Sequence, residues 1–187
     1  MLSFEIVAFF VQILLLGTSL LYVSLGLAWC VSTYLDAPFV PTPKRVLPII
    51  AEALHIRSGD VVYDLGCGDG RFLFYCAHRF PQSRFVGIER NPFLALFLYT
   101  KKYLLGVPNL TFRRENIFKT NFSDATRIYT YLFSPAMDRL FSNSQPQHPV
   151  RLVSRAFKIP KKTIAETIPL PNVENICGDH EVHVYEW

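Results

Sequence analysis

The apolar and polar positions of this chain divide it into two unlike parts. From Ile6 to Leu35 there is no charged residue, and Gln12 is the one long polar side chain in that run. A helix apolar all round has no face to show to water. At 1.5 Å of rise per residue, about 20 residues cross a bilayer core. The stretch from about Phe4 to Cys30 is therefore predicted to be a transmembrane helix. A cleaved signal peptide would need a basic start, a shorter apolar core and a small-x-small cleavage site. The start here is MLSFE, without Lys or Arg, so an uncleaved anchor fits better.

Beyond the anchor the pattern changes period. The segment DAPFVPTPK (36–44) holds three prolines, which forbid a regular helix and favour an extended linker. Helical spacing returns at 44–56, with Pro48 tolerable near the first turn. Short apolar runs at 61–66, 84–90, 110–116, 127–133 and 151–157 read as strands. Helices are predicted at 71–80 and at 91–105, where Asn91 can cap and Pro92 can occupy the first turn. Only a short helix fits between Pro135 and Val150. The runs 162–168 and 181–187 are predicted to pair antiparallel at a sheet edge. The segment FLALFLY (93–99) is apolar nearly all round; such a helix is expected in the core, the alternative being that it packs against the membrane face or the acceptor.

Alternating strands and helices imply right-handed βαβ units. The expected fold is α/β, a doubly wound, seven-stranded, mostly parallel sheet behind an N-terminal transmembrane helix. Residues 1–35 form the anchor, 36–43 a Pro-rich linker and 44–187 a minimal domain.

Charge gives the anchor a direction. All 19 Lys and Arg lie from Lys44 onward, so the domain should face the cytoplasm, or a mitochondrial matrix. Trp29 and Tyr34 suit an interfacial aromatic position at that end. The net charge of +4 forms no dense basic stripe, so no nucleic-acid partner is expected. The four cysteines make no CxxC pair, and neither a disulfide framework nor a metal site is expected.

The candidate chemistry lies in VVYDLGCGDGRF (61–72). Gly66, Gly68 and Gly70 alternate after a strand, and Arg71 stands where a dinucleotide fingerprint would place its third glycine. No GK[ST] follows, so a P-loop is excluded. Asp64 ends the strand and Asp69 lies in the turn. Carboxylates there would repel a pyrophosphate and would suit a cation such as S-adenosyl-L-methionine. Glu89 ends the second strand, where a carboxylate can accept from both ribose hydroxyls. Asn116 ends the third, where an amide can reach an adenine or form an Asx-turn.

With these residues the chain resembles the class I S-adenosylmethionine-dependent methyltransferases. It is similar, more narrowly, to the ATP synthase c-subunit lysine N-methyltransferase family and its adenine-nucleotide-carrier methylating relatives. FVPTP (39–43), VVYDLGCGDGRF, VGIERNPFLALF (86–97), FSPAM (133–137) and the ending SRAFKIP…HVYEW carry the likeness. The resemblance implies a cofactor loop of Asp64, Gly66, Cys67, Gly68, Asp69 and Gly70, with Glu89 as ribose acid. It places Pro41 and Thr42 beside the site. Asn116 departs from the Asp usual in the family, and Cys67 stands where close relatives often have Ser.

FSPAM follows the fourth strand, where the acceptor sits in this fold. Ser134 and Pro135 are the candidate acceptor-site residues, acting through backbone carbonyls, or else a proline that merely ends a strand. Ala136 and Met137 replace the second proline and aromatic clamp of nucleic-acid amino-methyltransferases. Three functions fit: a membrane-anchored methyltransferase for a lysine of a membrane protein, a methyltransferase for a lipid, quinone or other small molecule, and a non-catalytic cofactor-binding membrane protein.

Overall fold

The computed structural model describes residues 2–34, 39–141, 148–170 and 180–187. The chain divides into two units, 1–38 and 39–187. The linker residues 36–38 and Cys177 lie outside the described residues, as do the side chains of Trp29 and Tyr34.

The first unit is one helix, α1 (Leu2–Tyr34). Its segment Glu5–Leu27 is exposed throughout and is long and apolar enough to cross a membrane. At 1.5 Å per residue these 23 residues span about 35 Å, against about 30 Å of bilayer hydrocarbon.

The second unit begins with an extended segment and a 3-10 turn (Lys44–Val46), then α2 (Leu47–Ala53), with Pro48 in its first turn. There follow β1 (Val61–Leu65), α3 (Arg71–Arg79), β2 (Arg84–Ile88), α4 (Pro92–Leu105) and β3 (Leu110–Arg113). β4 (Arg127–Thr130), α5 (Ser134–Phe141), β5 (Arg151–Arg155), β6 (Glu166–Pro169) and β7 (Glu181–Glu186) complete it. The seven strands form one sheet in the order β3-β2-β1-β4-β5-β7-β6. β1 to β5 are parallel, and β7 runs antiparallel between β5 and β6. Strand order reverses at β1, so the β1–β4 boundary is the switch point outside which ligands bind in such sheets.

Alternation along each strand sends side chains to two apolar layers. Val62 joins Ile50, Phe72, Leu73 and Leu98 under α2, α3 and α4. Tyr63 and Leu65 join Ile88, Met137, Phe141 and Tyr185 under α5 and the loops. No helix occupies 114–126, so Ile117 and Phe122 of that loop cover the second layer instead.

The structure corrects several expectations. The strands are shorter: Glu89 lies one residue past β2 and Asn116 three past β3. Past β4 the apolar run continues through Leu132, which still lines the core, so there hydrophobicity overstates strand length. The segment 39–43 belongs to the domain, because Thr42 is buried and bonds Tyr129. Pro135 lies in the first turn of α5 and does not end a strand. FLALFLY is not core: Ala95 and Leu98 of α4 are buried, while Phe93, Leu96, Phe97 and Tyr99 are exposed. α4 rests on the turn at Gly70 through a narrow strip, and among the described residues its other side is left exposed.

Candidate active site

β1 delivers the chain to a sharp turn in which Gly66, Gly68 and Gly70 all have positive φ. At Gly68 a Cβ would come within 2.6 Å of the Phe39 ring, so the extended N-terminal segment lies directly on the turn. At Gly70 a Cβ would sit 2.6 Å from Leu98 and 3.1 Å from the Phe112 ring. Protein side chains thus pack where a Cβ would stand, and the positive φ values leave only glycine at these positions. On the β4 side, Leu132 lies 3.1 Å from the same construction at Gly66.

Glu89 fixes the shape of the turn. Gly68 N–H donates to its Oε2 at 2.9 Å and Asn91 N–H to its Oε1 at 2.8 Å. Asn91 in turn caps α4 by accepting from Phe93 and Leu94 N–H. Burial raises the Glu89 carboxyl above the ordinary range, although the donors at Asn91, Gly68 and Arg90 oppose this. With three backbone donors on about four acceptor sites, roughly one site remains for a hydroxyl.

Asp64 is buried in β1. Its carboxyl is held well above the ordinary range by burial first, then by the charges of Glu89 and Asp69. Cys67 is likewise raised, by burial and then by Asp64 and Glu89, so the thiol stays protonated. Asp69 differs. Burial pushes it up, but hydrogen bonds and charge from Arg71 outweigh that and leave it below the ordinary range. Arg71 Nη2 meets Asp69 Oδ2 at 2.6 Å, and Arg71 Nη1 donates to the Thr42 carbonyl at 2.9 Å. Asp69 is thus neutralised within the protein, which corrects the expectation that both turn aspartates face a cation. Asp64 and Glu89 are the carboxylates that remain.

Thr42 Oγ1 lies 3.0 Å from the Tyr129 hydroxyl. With the Arg71 bond to its carbonyl, this binds the segment 39–43 to the turn. Pro41 is exposed. Asn116 forms an Asx-turn, its Oδ1 accepting from Phe118 N–H at 3.0 Å. Its oxygen is therefore committed and its NH2 is the group left to offer. Ser134 and Pro135 are exposed at the start of α5. In an α-helix the first carbonyls accept from N–H groups four residues on, so theirs serve α5.

Sequence reasoning missed four features. Phe39 covers Gly68. Arg71 neutralises Asp69. Tyr129 holds Thr42. Past β4 and β5, Tyr131, Phe133 and Phe157 make an aromatic wall: Phe157 stacks on Tyr131 at 6.2 Å and meets Phe133 edge-on at 5.0 Å. The i, i+2 spacing in YLF (131–133) was the available signal. Among the described residues no group of His, Cys, Asp and Glu could hold a metal ion.

The site's donor set suits a cationic nucleoside. The turn presents a glycine backbone, a buried acid and a second, half-committed acid, with Arg71 paired to Asp69 and Lys101 nearby. Comparison with known proteins agrees. The model of the ANTKMT methyltransferase domain matches residues 64–166. A protein-lysine N-methyltransferase of Saccharolobus islandicus is 31% identical over 153 residues, 79% of this chain and 92% of that protein. A tRNA (guanine-N(7)-)-methyltransferase of Mycoplasma pneumoniae is 30% identical over 58% of this chain, which spans 45% of that protein. A solved RNA methyltransferase from Salinibacter ruber, in complex with S-adenosyl-L-homocysteine, superposes with a TM-score of 0.68. It is 29% identical, over 79% of this chain and 93% of that one.

Proposed function

The chain belongs to the ANTKMT methyltransferase family, and from that premise we propose that it is a membrane-anchored enzyme that methylates a lysine side chain of a membrane protein. It is a class I methyltransferase, and its cofactor is S-adenosyl-L-methionine. Bound, that cofactor supplies a methyl group on a sulfonium, already a good leaving group.

The residues of the turn take these roles. Gly66, Gly68 and Gly70, with Cys67 between them, let the backbone approach the cofactor. Asp64 and Glu89 supply negative charge, and Glu89 accepts from the ribose hydroxyls. Asn116 offers its NH2 to an acceptor nitrogen of the adenine. Asp69 and Arg71 hold the turn and tie it to Thr42, and Pro41 shapes that same segment. Ser134 and Pro135 set where α5 begins beside the acceptor.

The acceptor amine must be neutral before its lone pair attacks. With an ordinary lysine pKa near 10.4, this costs about 4.6 kcal/mol at pH 7. The wall of Tyr131, Phe133 and Phe157 disfavours the ammonium form by excluding water. The neutral amine would then take the methyl group that the bound cofactor supplies, and the proton it sheds would pass to solvent. Alignment is the protein's main contribution.

The observation that carries the lysine reading is the likeness, over nearly all of its length, to a protein-lysine N-methyltransferase, joined to the aromatic wall. The single apolar helix supports the anchor, and the absence of Lys and Arg before Lys44 supports a domain on the positive, cytoplasmic or matrix, side. The RNA-methylating relatives favour a second reading, an RNA base. One experiment separates them: the purified chain, S-adenosylmethionine with a labelled methyl group, and native membranes or total RNA. Label recovered in methyl-lysine from a membrane protein band supports the proposal. Label confined to RNA or to extracted lipid overturns it.

A further inference from the structure

The outer face of α4 has no role in the site described above. Its helical positions 93, 96, 97, 100 and 104 recur at i, i+3, i+4, i+7 and i+11, one continuous stripe. In sequence they are Phe, Leu, Phe, Thr and Leu. Leu96 is 66% exposed, Leu104 75% and the flanking Tyr103 85%. Two turns of core-like residues thus point away from the core. A soluble domain rarely leaves so many large apolar side chains together on one helix.

The charge around this stripe identifies what covers it. The charged residues within α4 are Lys101 and Lys102, both basic. Lys101 borders the stripe, its ammonium 5.5 Å from the Phe97 ring centroid, and Lys44 is close enough to repel it. An apolar stripe of Phe, Leu and Tyr bordered by Lys is the composition of a helix that lies in a membrane interface.

Phe39 lies on Gly68 and Leu98 of α4 on Gly70, so α4 flanks the same short turn that carries the candidate cofactor site.

We infer that the outer face of α4 is a membrane-interface surface that lays the domain against an anionic bilayer. The inference rests on the reading of α1 as an anchor. It adds that the domain is held in one orientation, with its cofactor turn near the headgroups, and does not swing freely on a tether.

The test uses the full chain in vesicles of phosphatidylcholine and phosphatidylglycerol, with Cys30→Ser and Cys177→Ser to clear the background. A fluorophore is placed singly at Leu96→Cys, Leu104→Cys, Leu16→Cys or Gln82→Cys. Quenching is read from nitroxide-bearing lipids and from a water-soluble quencher. The expected result is strong lipid quenching at 16, shallow lipid quenching at 96 and 104, and aqueous quenching only at 82. Adding Phe93→Glu should return the 96 probe to the level of 82. If 16 is lipid-quenched while 96 and 104 behave like 82, the inference fails and the anchor stands. If 16 escapes lipid quenching, the anchor reading fails and takes this one with it. If 96 and 104 are shielded from water yet unquenched by lipid, a protein covers the face and the inference is overturned.

Discussion

Glu89→Gln tests the cofactor assignment most directly. Each Glu89 oxygen accepts a backbone N–H, from Gly68 at 2.9 Å and from Asn91 at 2.8 Å. Glutamine keeps one oxygen and turns an NH2 toward the other donor, so one charge-assisted bond is lost and one becomes neutral. A hydrogen bond to a charged group contributes about 1.5–3 kcal/mol. Removing the charge also relieves the desolvation that raises this carboxyl, so the free protein should lose only about 1–2 kcal/mol of stability. The bound state has no such offset. It loses an acceptor for the ribose diol and one charge facing a cation, together about 2–3 kcal/mol. That corresponds to roughly 30- to 150-fold in Kd. The assay is calorimetric titration of S-adenosylhomocysteine into wild type and variant, with urea melts to certify folding. Asn91→Ala is the control, since it removes the α4 cap but leaves the acid. A folded Glu89→Gln protein that binds within threefold of wild type would sink the assignment. A loss as large in Asn91→Ala would move the effect to distortion of the turn.

Three further outcomes are expected. Asp64 and Glu89 have raised folded-state values, so the folded protein binds more protons than the unfolded one, and its own stability falls as pH rises from about 4 through those raised values. A cationic cofactor favours the ionised forms, so binding should release protons and tighten with pH over that window; titrations in buffers of different ionisation enthalpy would read this, and proton uptake would contradict it. Gly70→Ala combines a left-handed φ of 70° with a Cβ 2.6 Å from buried Leu98, which should cost roughly 2–5 kcal/mol in a urea melt; a loss under 1 kcal/mol would refute the packing described. Phe39→Ala uncovers Gly68 and should weaken cofactor binding by about 1–2 kcal/mol, roughly 5- to 30-fold, with an unchanged melt of the cofactor-free protein; unaltered affinity would remove Phe39 from the site.

What could be read from the chain depended on whether a signal was local. The glycine turn, the cap at Asn91 and the antiparallel β6–β7 pair are all written within a few residues, and each lies where its pattern places it. Two features are not local. An all-round apolar helix has no preferred side, and whether α4 is buried depends on how many layers the fold stacks above it. The same holds for Asp69. Its type and place suggested a charge for the cofactor, but the guanidinium two residues on reaches back to it and onward to the Thr42 carbonyl. Arg71 was visible only as a missing glycine, because side-chain reach is not encoded in spacing. Asn116 was ambiguous for a third reason: its amide can satisfy a local N–H or a ligand, and the local bond forms.

The acids of the site explain why so small a domain tolerates them. Asp64, Asp69 and Glu89 crowd one turn, and Arg71 answers only Asp69. Asp64 and Glu89 are buried at a cost, which is why both are raised. Such a pair weakens the empty protein and is relieved by a cation. The site therefore stores destabilisation that the cofactor removes. At a cofactor concentration 100-fold above Kd, binding would add about 2.7 kcal/mol to folding stability. That is a large share of the 5–15 kcal/mol typical of a whole domain. A dinucleotide, with its negative pyrophosphate, would add to the crowding. If Asp64 and Glu89 hold the cofactor as proposed, the same two carboxylates couple the persistence of the fold to its supply.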